Sequence, residues 1–369
     1  MSQSDDERWM KRALELAERG RGFVEPNPLV GAVIVRDGAV VGEGWHERFG
    51  GPHAEINAFA AAGNRAAGGT LFVSLEPCCH HGKTPPCTDA ITKAGIRRVV
   101  AAMGDPFPDV SGQGFAALQA AGIDMQSGWL AAEAELLNAP YLTLLSRKRP
   151  YVHTKWAMSL DGRIATRTGE SKWITGRAAR QRGHELRGRM DAIIVGAGTV
   201  RADNPRLTAR PPGPRTPTRI VLSTDGALSN DCQVFSTNGE GPVALAVPED
   251  CSATMPVGVE RIALPALDGR PSAAALLAEL GRRRMTNVLV EGGAETLGSF
   301  FSAGLMDEVH VFIAPVVIGG EAARGPVGGA GIDDLMSAYR FDRAGFETIG
   351  DDLYWHGRRA HNPSQQPAQ

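Results

Sequence analysis

HAE at residues 53–55 and SLEPCCHHGKTPPCTDA at residues 74–90 decide how the first half of this chain folds. Cys78 and Cys87 each follow a proline, and with His53 they make a set of one imidazole and two thiols. Zinc takes such ligands readily, and a catalytic zinc keeps three protein ligands with the fourth position open to water. Two thiolates offset the 2+ charge, and the metal brings its water's pKa down towards neutrality. Glu55 lies two residues after His53, so on a helix the two do not share a face. It is poorly placed as a fourth ligand but well placed as a proton carrier beside the metal. A closed, inert zinc clip is the alternative, with Cys79, His80 or His81 as fourth ligand. It would need no upstream HAE, and adjacent Cys78 and Cys79 would strain to bind one ion.

H-x-E followed by P-C-x-x-C is the pattern of zinc nucleobase deaminases, in which the Glu is the acid/base. Here H-A-E and P-C are present, but the second cysteine comes after eight intervening residues, 79–86.

The rest of the chain frames this site. At 369 residues it exceeds what one core usually supports, so two domains are expected. A net charge of −2 gives no footprint for nucleic acid or an anionic membrane, and no run approaches the ~20 apolar residues of a membrane span. The start is a polar helical pattern without an apolar leader core. A soluble, cytoplasmic protein is expected, with no nucleic-acid or membrane partner. Five cysteines, three of them within ten residues, favour metal or catalysis over disulfides.

Residues 6–19 read as a helix started by Asp5 or Asp6 and ended at Gly20. VGAVIVR and AVVGEGW flank Asp37-Gly38, a type I′ hairpin signal. Then come a helix over 53–62, strand TLFVSLE, a short helix at 87–94, strand RRVVAAM, a helix at 113–121, strand IDMQ and one long helix over 130–145. Alternation of this kind implies an α/β sheet covered on both faces. SRKRP (146–150) reads as a linker, which gives domains at 1–146 and 151–360 joined by 147–150. Residues 361–369 read as a disordered tail. The second series has strands YVHTKWAM, 191–196, 219–223, 287–293 and 308–315, a helix at 272–284, and a surface loop at 211–217.

No G-x-G-x-x-G fingerprint follows a strand in this second half. Two strand–glycine–helix junctions do occur, DAIIVGAGTV with Gly196 and Gly198, and NVLVEGGAETLGSFF with Gly292 and Gly293. Bare amides at a helix start suit pyrophosphate. Lys155 stands among apolar strand residues and is expected to have a partner, since an unpaired buried ammonium is costly.

PNPLVGAVIV, GPHAE and PCCHHGKTPPC, followed by TKWAMSLDGRIATRTGESKWIT and GAGTVRADNPRLTAR, resemble the bifunctional deaminase–reductase family of riboflavin biosynthesis over residues 6–357. The resemblance implies a cytidine-deaminase-like α/β/α domain followed by a dihydrofolate-reductase-like α/β domain. It implies zinc-dependent removal of the 2-amino group of a diaminopyrimidinone ribosylamine phosphate, then NADPH-dependent reduction of the ribosyl chain to ribityl. The zinc positions match His53, Cys78 and Cys87, the proton shuttle matches Glu55, and Asn27, His46 and Lys83 match positions that hold substrate. Each of these three has a bland reading: a turn residue between prolines, a solvated histidine and a surface charge. In the second half, Lys155, Ser171, Arg187, Leu207, Arg210 and Glu291 match substrate positions. Ala157, Trp173, Thr199, Asp203, Thr224 and the segment Gly293, Ala294, Glu295, Thr296, Leu297, Gly298 match cofactor positions. Arg187 and Arg210 suit phosphate as bidentate clamps, although Arg187 also fits a solvent-facing helical charge. A homo-oligomer, dimer or tetramer, is expected. The rivals are a cytidine or tRNA-adenosine deaminase with an unrelated appendage, and a zinc-stabilised binding module.

Overall fold

The computed structural model describes residues 3–80, 85–236 and 240–360. Lys83 and the expected tail at 361–369 lie outside the described residues. The chain divides into two compact units, Met1–Lys148 and Arg149–Gln369.

The first unit begins with α1 (Gln3–Glu18), which starts earlier than its acidic residues suggest. Asp6 therefore lies in the first turn, buried and bidentate to Arg98 at 2.6 and 3.2 Å, and does not cap the helix. Strands β1 (Gly31–Arg36) and β2 (Ala39–Trp45) form the expected hairpin, with Asp37 and Gly38 at φ 51° and 78° as a type I′ turn requires. α2 (Ala54–Ala62), β3 (Thr70–Val73), α3 (Cys87–Lys93), β4 (Arg98–Ala101), α4 (Gln113–Ala120) and β5 (Asp124–Ser127) follow. The sheet order is β2-β1-β3-β4-β5, antiparallel across β2-β1-β3 and parallel across β3-β4-β5.

Alternate residues of these strands reach opposite covers, which is why they read as continuous apolar runs. Ala32, Ile34, Leu71 and Val73 pack under α2, α3 and α4. Val33, Val35, Phe72 and Val100 pack under Trp9, Met10, Ala13 and Leu16 of α1. Gly44 lets β2 and α2 touch: a Cβ there would lie 2.4 Å from Ala58 N and 2.5 Å from Ala54 O.

The single helix expected over 130–145 is two, α5 (Ala131–Leu137) and α6 (Ala139–Arg147). Pro140 has no N–H to continue the ladder. The Asn138 side chain at the break is buried and bonds both Leu29 N (2.8 Å) and Leu29 O (3.1 Å). The expected linker is also partly structured. Arg147 ends α6, and Arg149 is buried with its guanidinium paired to Asp307 at 2.5 and 2.8 Å.

The second unit holds β6 (Tyr151–Ser159), α7 (Arg177–Arg187), β7 (Ala192–Gly196), α8 (Ala197–Asp203), β8 (Thr218–Leu222), β9 (Val243–Pro248) and β10 (Glu260–Leu264). A two-residue ladder of β11 (Ala266–Leu267) and β12 (Arg270–Pro271) comes next. α9 (Ala273–Arg282), β13 (Asn287–Glu291), α10 (Ala294–Ser302), β14 (Glu308–Ala314), β15 (Phe341–Ile349) and β16 (Asp352–Arg359) complete it. The sheet order is β10-β9-β8-β7-β13-β6-β14-β16-β15, parallel up to β14 and antiparallel beyond. One face is covered by α9 and α10 and the other by α7 and α8. Leu276, Leu277 and Leu280 of α9 are fully buried. At roughly 2 kcal/mol each, they outweigh the marginal intrinsic stability of so short a helix.

Candidate functional site

In the first unit two helix starts converge. His53 is the N-cap of α2, and Cys87 is the first residue of α3, capped by Pro86. Cys78 comes from the segment after β3. It is tied to α3 by two amides, Cys87 N–H to Cys78 Sγ (3.4 Å) and Thr88 N–H to Cys78 O (3.2 Å). His53 Nδ1 lies 3.4 Å from Cys78 Sγ and 3.3 Å from Cys87 Sγ. All three donor atoms fall within 4.8 Å of one another. A tetrahedral zinc with ordinary bond lengths separates nitrogen and sulfur ligands by about 3.6 Å, so the donor set fits the ion in chemistry and in span.

Electrostatics agree. The hydrogen bond from the Cys87 thiol, with His53 adding to it, holds Cys78 down at about 4 against burial. The same contact, with burial, pushes Cys87 up. Glu55 is 3% exposed, and burial, with the Cys78 charge behind it, raises its carboxyl pKa. Burial thus favours the protonated carboxyl, the form a general acid needs.

Two of the three residues that could close the site as a clip are turned elsewhere. Cys79 Sγ is directed at Asp109 O (3.7 Å), and the His80 ring lies beside Phe107. Among the described residues neither Cys79 nor His80 joins the donor cluster; His81 lies outside the described residues. His46 is not solvated but 3% exposed, and burial lowers its pKa. As a neutral ring it donates from Nδ1 to Pro52 O (2.9 Å) and accepts at Nε2 from the Asn27 amide (3.2 Å), which orients Asn27. Sequence reasoning missed Glu76, whose buried carboxylate accepts from four backbone amides. The available signal was an acidic residue closing the apolar run LFVSLE, where a charge needs partners.

In the second unit, Lys155 on β6 and Glu291 on β13 are register partners, with Nζ 3.7 Å from Oε2. Arg187, the last residue of α7, does not face solvent. Its Nε and Nη2 bond the two Glu291 oxygens (2.6 and 2.9 Å), and its Nη1 reaches Thr208 O (3.3 Å). That fork is committed to Glu291 and is not free to clamp a phosphate in the expected bidentate way. Arg210 is exposed. Leu207 is buried with φ 57°, next to the Thr208 carbonyl that also accepts from His184 Nδ1 (3.0 Å).

Ser171 Oγ donates to Asp203 Oδ1 (3.1 Å) at the end of α8. Thr199 on the same helix accepts from Gly293 N–H (2.9 Å), which joins the two glycine turns. Gly196 ends β7, and Thr224 and Gly293 follow the carboxyl ends of its two neighbours, the parallel strands β8 and β13. Ligands of open α/β sheets bind at such ends. Gly198 faces open space, while Gly292 and Gly196 admit backbone close to Thr199 and Thr296. Bare backbone at helix starts fits a dinucleotide phosphate. Ala157 lies on β6 opposite Phe312, and Trp173 is 70% exposed with Arg180 4.6 Å from its ring centroid. At the start of α10, Ala294 and Glu295 belong to the first turn and Thr296 is buried. Leu297 packs in the core, and Gly298 lies against the Gly328 backbone.

A second donor group, His153, Glu308 and His310, is buried in this unit. A directed chain of hydrogen bonds accounts for it. Tyr354 O–H donates to His310 Nδ1 (2.7 Å), His310 Nε2 to His153 Nδ1 (3.1 Å), and His153 Nε2 to Asn287 Oδ1 (3.1 Å). The Asn287 amide then donates to Thr286 Oγ1 (3.1 Å). Every nitrogen is used with both rings neutral, and burial lowers His310 to about 3. Arg358 also sits 3.2 Å from Glu308, adding positive charge where a cation would lie.

Residues 3–103 match the model of the cytidine and deoxycytidylate deaminase zinc-binding region, and residues 150–355 match the RibD C-terminal domain. The class is that of a zinc-type deaminase carrying a reductase on the same chain. Riboflavin biosynthesis protein RibD of Actinobacillus pleuropneumoniae is 41% identical over 94% of this chain and 93% of its own length. The Escherichia coli protein of that name is 40% identical over 95% and 98%. A crystal structure from Thermotoga maritima, described as a diaminohydroxyphosphoribosylaminopyrimidine deaminase/5-amino-6-(5-phosphoribosylamino)uracil reductase, superposes with a TM-score of 0.85 at 38% identity, covering 97% of this chain and 99% of that one. The chain belongs to the RibD family, the bifunctional deaminases and reductases of riboflavin biosynthesis. The described residues contain no helix long and apolar enough to cross a membrane.

Proposed function

We propose that the unit over 1–146 hydrolyses 2,5-diamino-6-ribosylamino-4(3H)-pyrimidinone 5′-phosphate to its uracil product and ammonia. The unit over 151–360, joined by 147–150, then reduces the ribosyl chain to give 5-amino-6-ribitylaminouracil 5′-phosphate. The name carried by the Thermotoga maritima relative supports this substrate pair. The observation that carries the reading is the convergence of His53, Cys78 and Cys87 beside a buried carboxyl of raised pKa.

One zinc per chain would be held by those three residues, and when bound it supplies a Lewis acid that makes water nucleophilic near neutral pH. Glu55 takes a proton from the attacking water and delivers it to the departing amino nitrogen. Asn27, oriented by His46, hydrogen-bonds the pyrimidine, and Lys83 meets the phosphate. In the reductase, Thr199, Asp203, Thr224, Ala157, Trp173 and the Gly293–Gly298 turn would hold NADPH, which when bound would supply the hydride. Lys155, kept in place by Glu291, hydrogen-bonds the sugar. Ser171, Leu207 and Arg187 shape the pocket, and Arg210 is the cation exposed for the phosphate. The assembly is a homo-oligomer in the cytoplasm, acting on small molecules rather than nucleic acid or membrane.

Glu55→Gln tests the reading. The variant is expected to keep one zinc per chain while ammonia release falls by about 10²–10⁴-fold. Release at the wild-type rate would remove Glu55 from the chemistry.

A further inference from the structure

Glu76 stands two residues before Cys78 and is 4% exposed. Its Oε1 accepts from Gly114 N–H (2.9 Å) and Phe115 N–H (3.2 Å) at the start of α4. Its Oε2 accepts from Asp105 N–H (3.1 Å) and Gly112 N–H (3.0 Å). All four bonds join segments 29 to 39 residues apart in sequence. The intervening Pro77 carbonyl is pressed against Gly114, where a Cβ would come within 2.1 Å of it. The loop fastened in this way reaches the metal-site segment on its other side, through Cys79 Sγ to Asp109 O and through His80 against Phe107. Its outer end is tied by Asp105, which accepts from Phe107 N–H (2.9 Å) and from the Tyr141 hydroxyl (2.8 Å).

A carboxylate accepting four amides is expensive to bury for packing alone, since apolar residues would fill the same space. It does fix a backbone, because every lone-pair direction is used. We infer that Glu76 is a positioning residue of the deaminase: it locks the Pro77–Cys78 segment and the 105–115 loop into one rigid frame, and so fixes where the Cys78 sulfur sits relative to Glu55. Glutamine cannot replace it, because its NH₂ group would face two backbone N–H donors. The inference rests on reading His53, Cys78 and Cys87 as the metal site.

The test uses the full chain. Amide exchange of the 104–116 segment is expected to be at least tenfold slower in the wild type than in Glu76→Gln; equal rates overturn the clamp. In zinc-loaded Glu76→Gln, kcat for ammonia release is expected to fall about 10–100-fold, the range usual for partners behind metal ligands. KM should stay within threefold, and reductase turnover of the deaminated product should be unchanged. A kcat within twofold of wild type, per bound zinc, overturns the positioning role. With cobalt(II) in place of zinc, the visible ligand-field bands should shift in the variant, and superimposable spectra also overturn it. If Glu76→Gln does not fold, Glu76→Asp takes its place with the same expectations. Wild-type protein lacking a thiolate-to-cobalt absorption would defeat the metal reading, and the exchange data alone would then decide the clamp.

Discussion

Replacing Glu291 with glutamine removes the one anion between two cations. Glu291 is 6% exposed, paired bidentately with Arg187 and 3.7 Å from Lys155. Burial would raise its pKa, but the Arg187 and Lys155 charges outweigh this and bring it from 4.5 to about 2. At 1.36 kcal/mol per pKa unit, that difference corresponds to about 3 kcal/mol of stability. Removing one partner of a buried pair costs about 3–5 kcal/mol, so two independent routes agree. The folded pKa is depressed. The contribution is therefore complete above about pH 4.5 and is lost as pH falls towards 2. For a unit the size of Arg149–Gln369, each kcal/mol moves Tm by about 2–4 °C. Glu291→Gln should lower the reductase-unit transition by roughly 10 °C at pH 7, and the gap to wild type should shrink below pH 4.5. Calorimetry of the full chain across this range is the assay. A variant within 1 kcal/mol of wild type at pH 7, or a gap unchanged at low pH, would refute the reasoning.

The two cations beside Glu291 are not equivalent, and this gives a second expectation. Burial, with the Arg187 charge adding to it, lowers the Lys155 pKa despite Glu291, so the ammonium is a net strain on the fold. Lys155→Met should leave the unfolding midpoint unchanged or raised, abolish reduction and spare ammonia release; clear destabilisation would contradict this. Gly44→Ala drives a Cβ into the backbone of α2, which cannot move aside as a side chain can. It should cost about 3 kcal/mol in the first unit by urea unfolding and weaken zinc retention, because α2 carries His53 and Glu55; an unchanged midpoint would argue against the close packing.

Much of the deaminase unit was legible because its signals are local. Asp37-Gly38 dictates its turn, and the HAE and PC segments each start or adjoin a helix, so their donors meet once the sheet forms. What was missed depends on partners far away in sequence. Nothing near Arg187 announces that its guanidinium closes on Glu291, 104 residues later, and nothing near Glu76 announces the four amides it gathers. The helix break at Asn138 carried a local signal in Pro140, but the apolar spacing across it favours one continuous helix. Strands β9, β10, β15 and β16 escaped notice: β10 and β15 lie at the edges of the sheet and β9 is buried throughout, and such strands lack a distinct period; β16 breaks its alternation with partly exposed neighbours. The two glycine turns were visible only as glycines after strands; that β7, β8 and β13 lie side by side is a matter of sheet order, which no local pattern carries.

The central claim is that two reactions run in order on one chain, and their stoichiometry tests it directly. With the diaminopyrimidinone ribosylamine phosphate as substrate, the zinc-loaded protein should release one ammonia and then consume one NADPH per substrate. NADPH oxidation should lag ammonia release and be absent in Glu55→Gln unless the deaminated product is supplied. NADPH consumption without prior ammonia release, or ammonia release from cytidine or tRNA alone, would contradict the account.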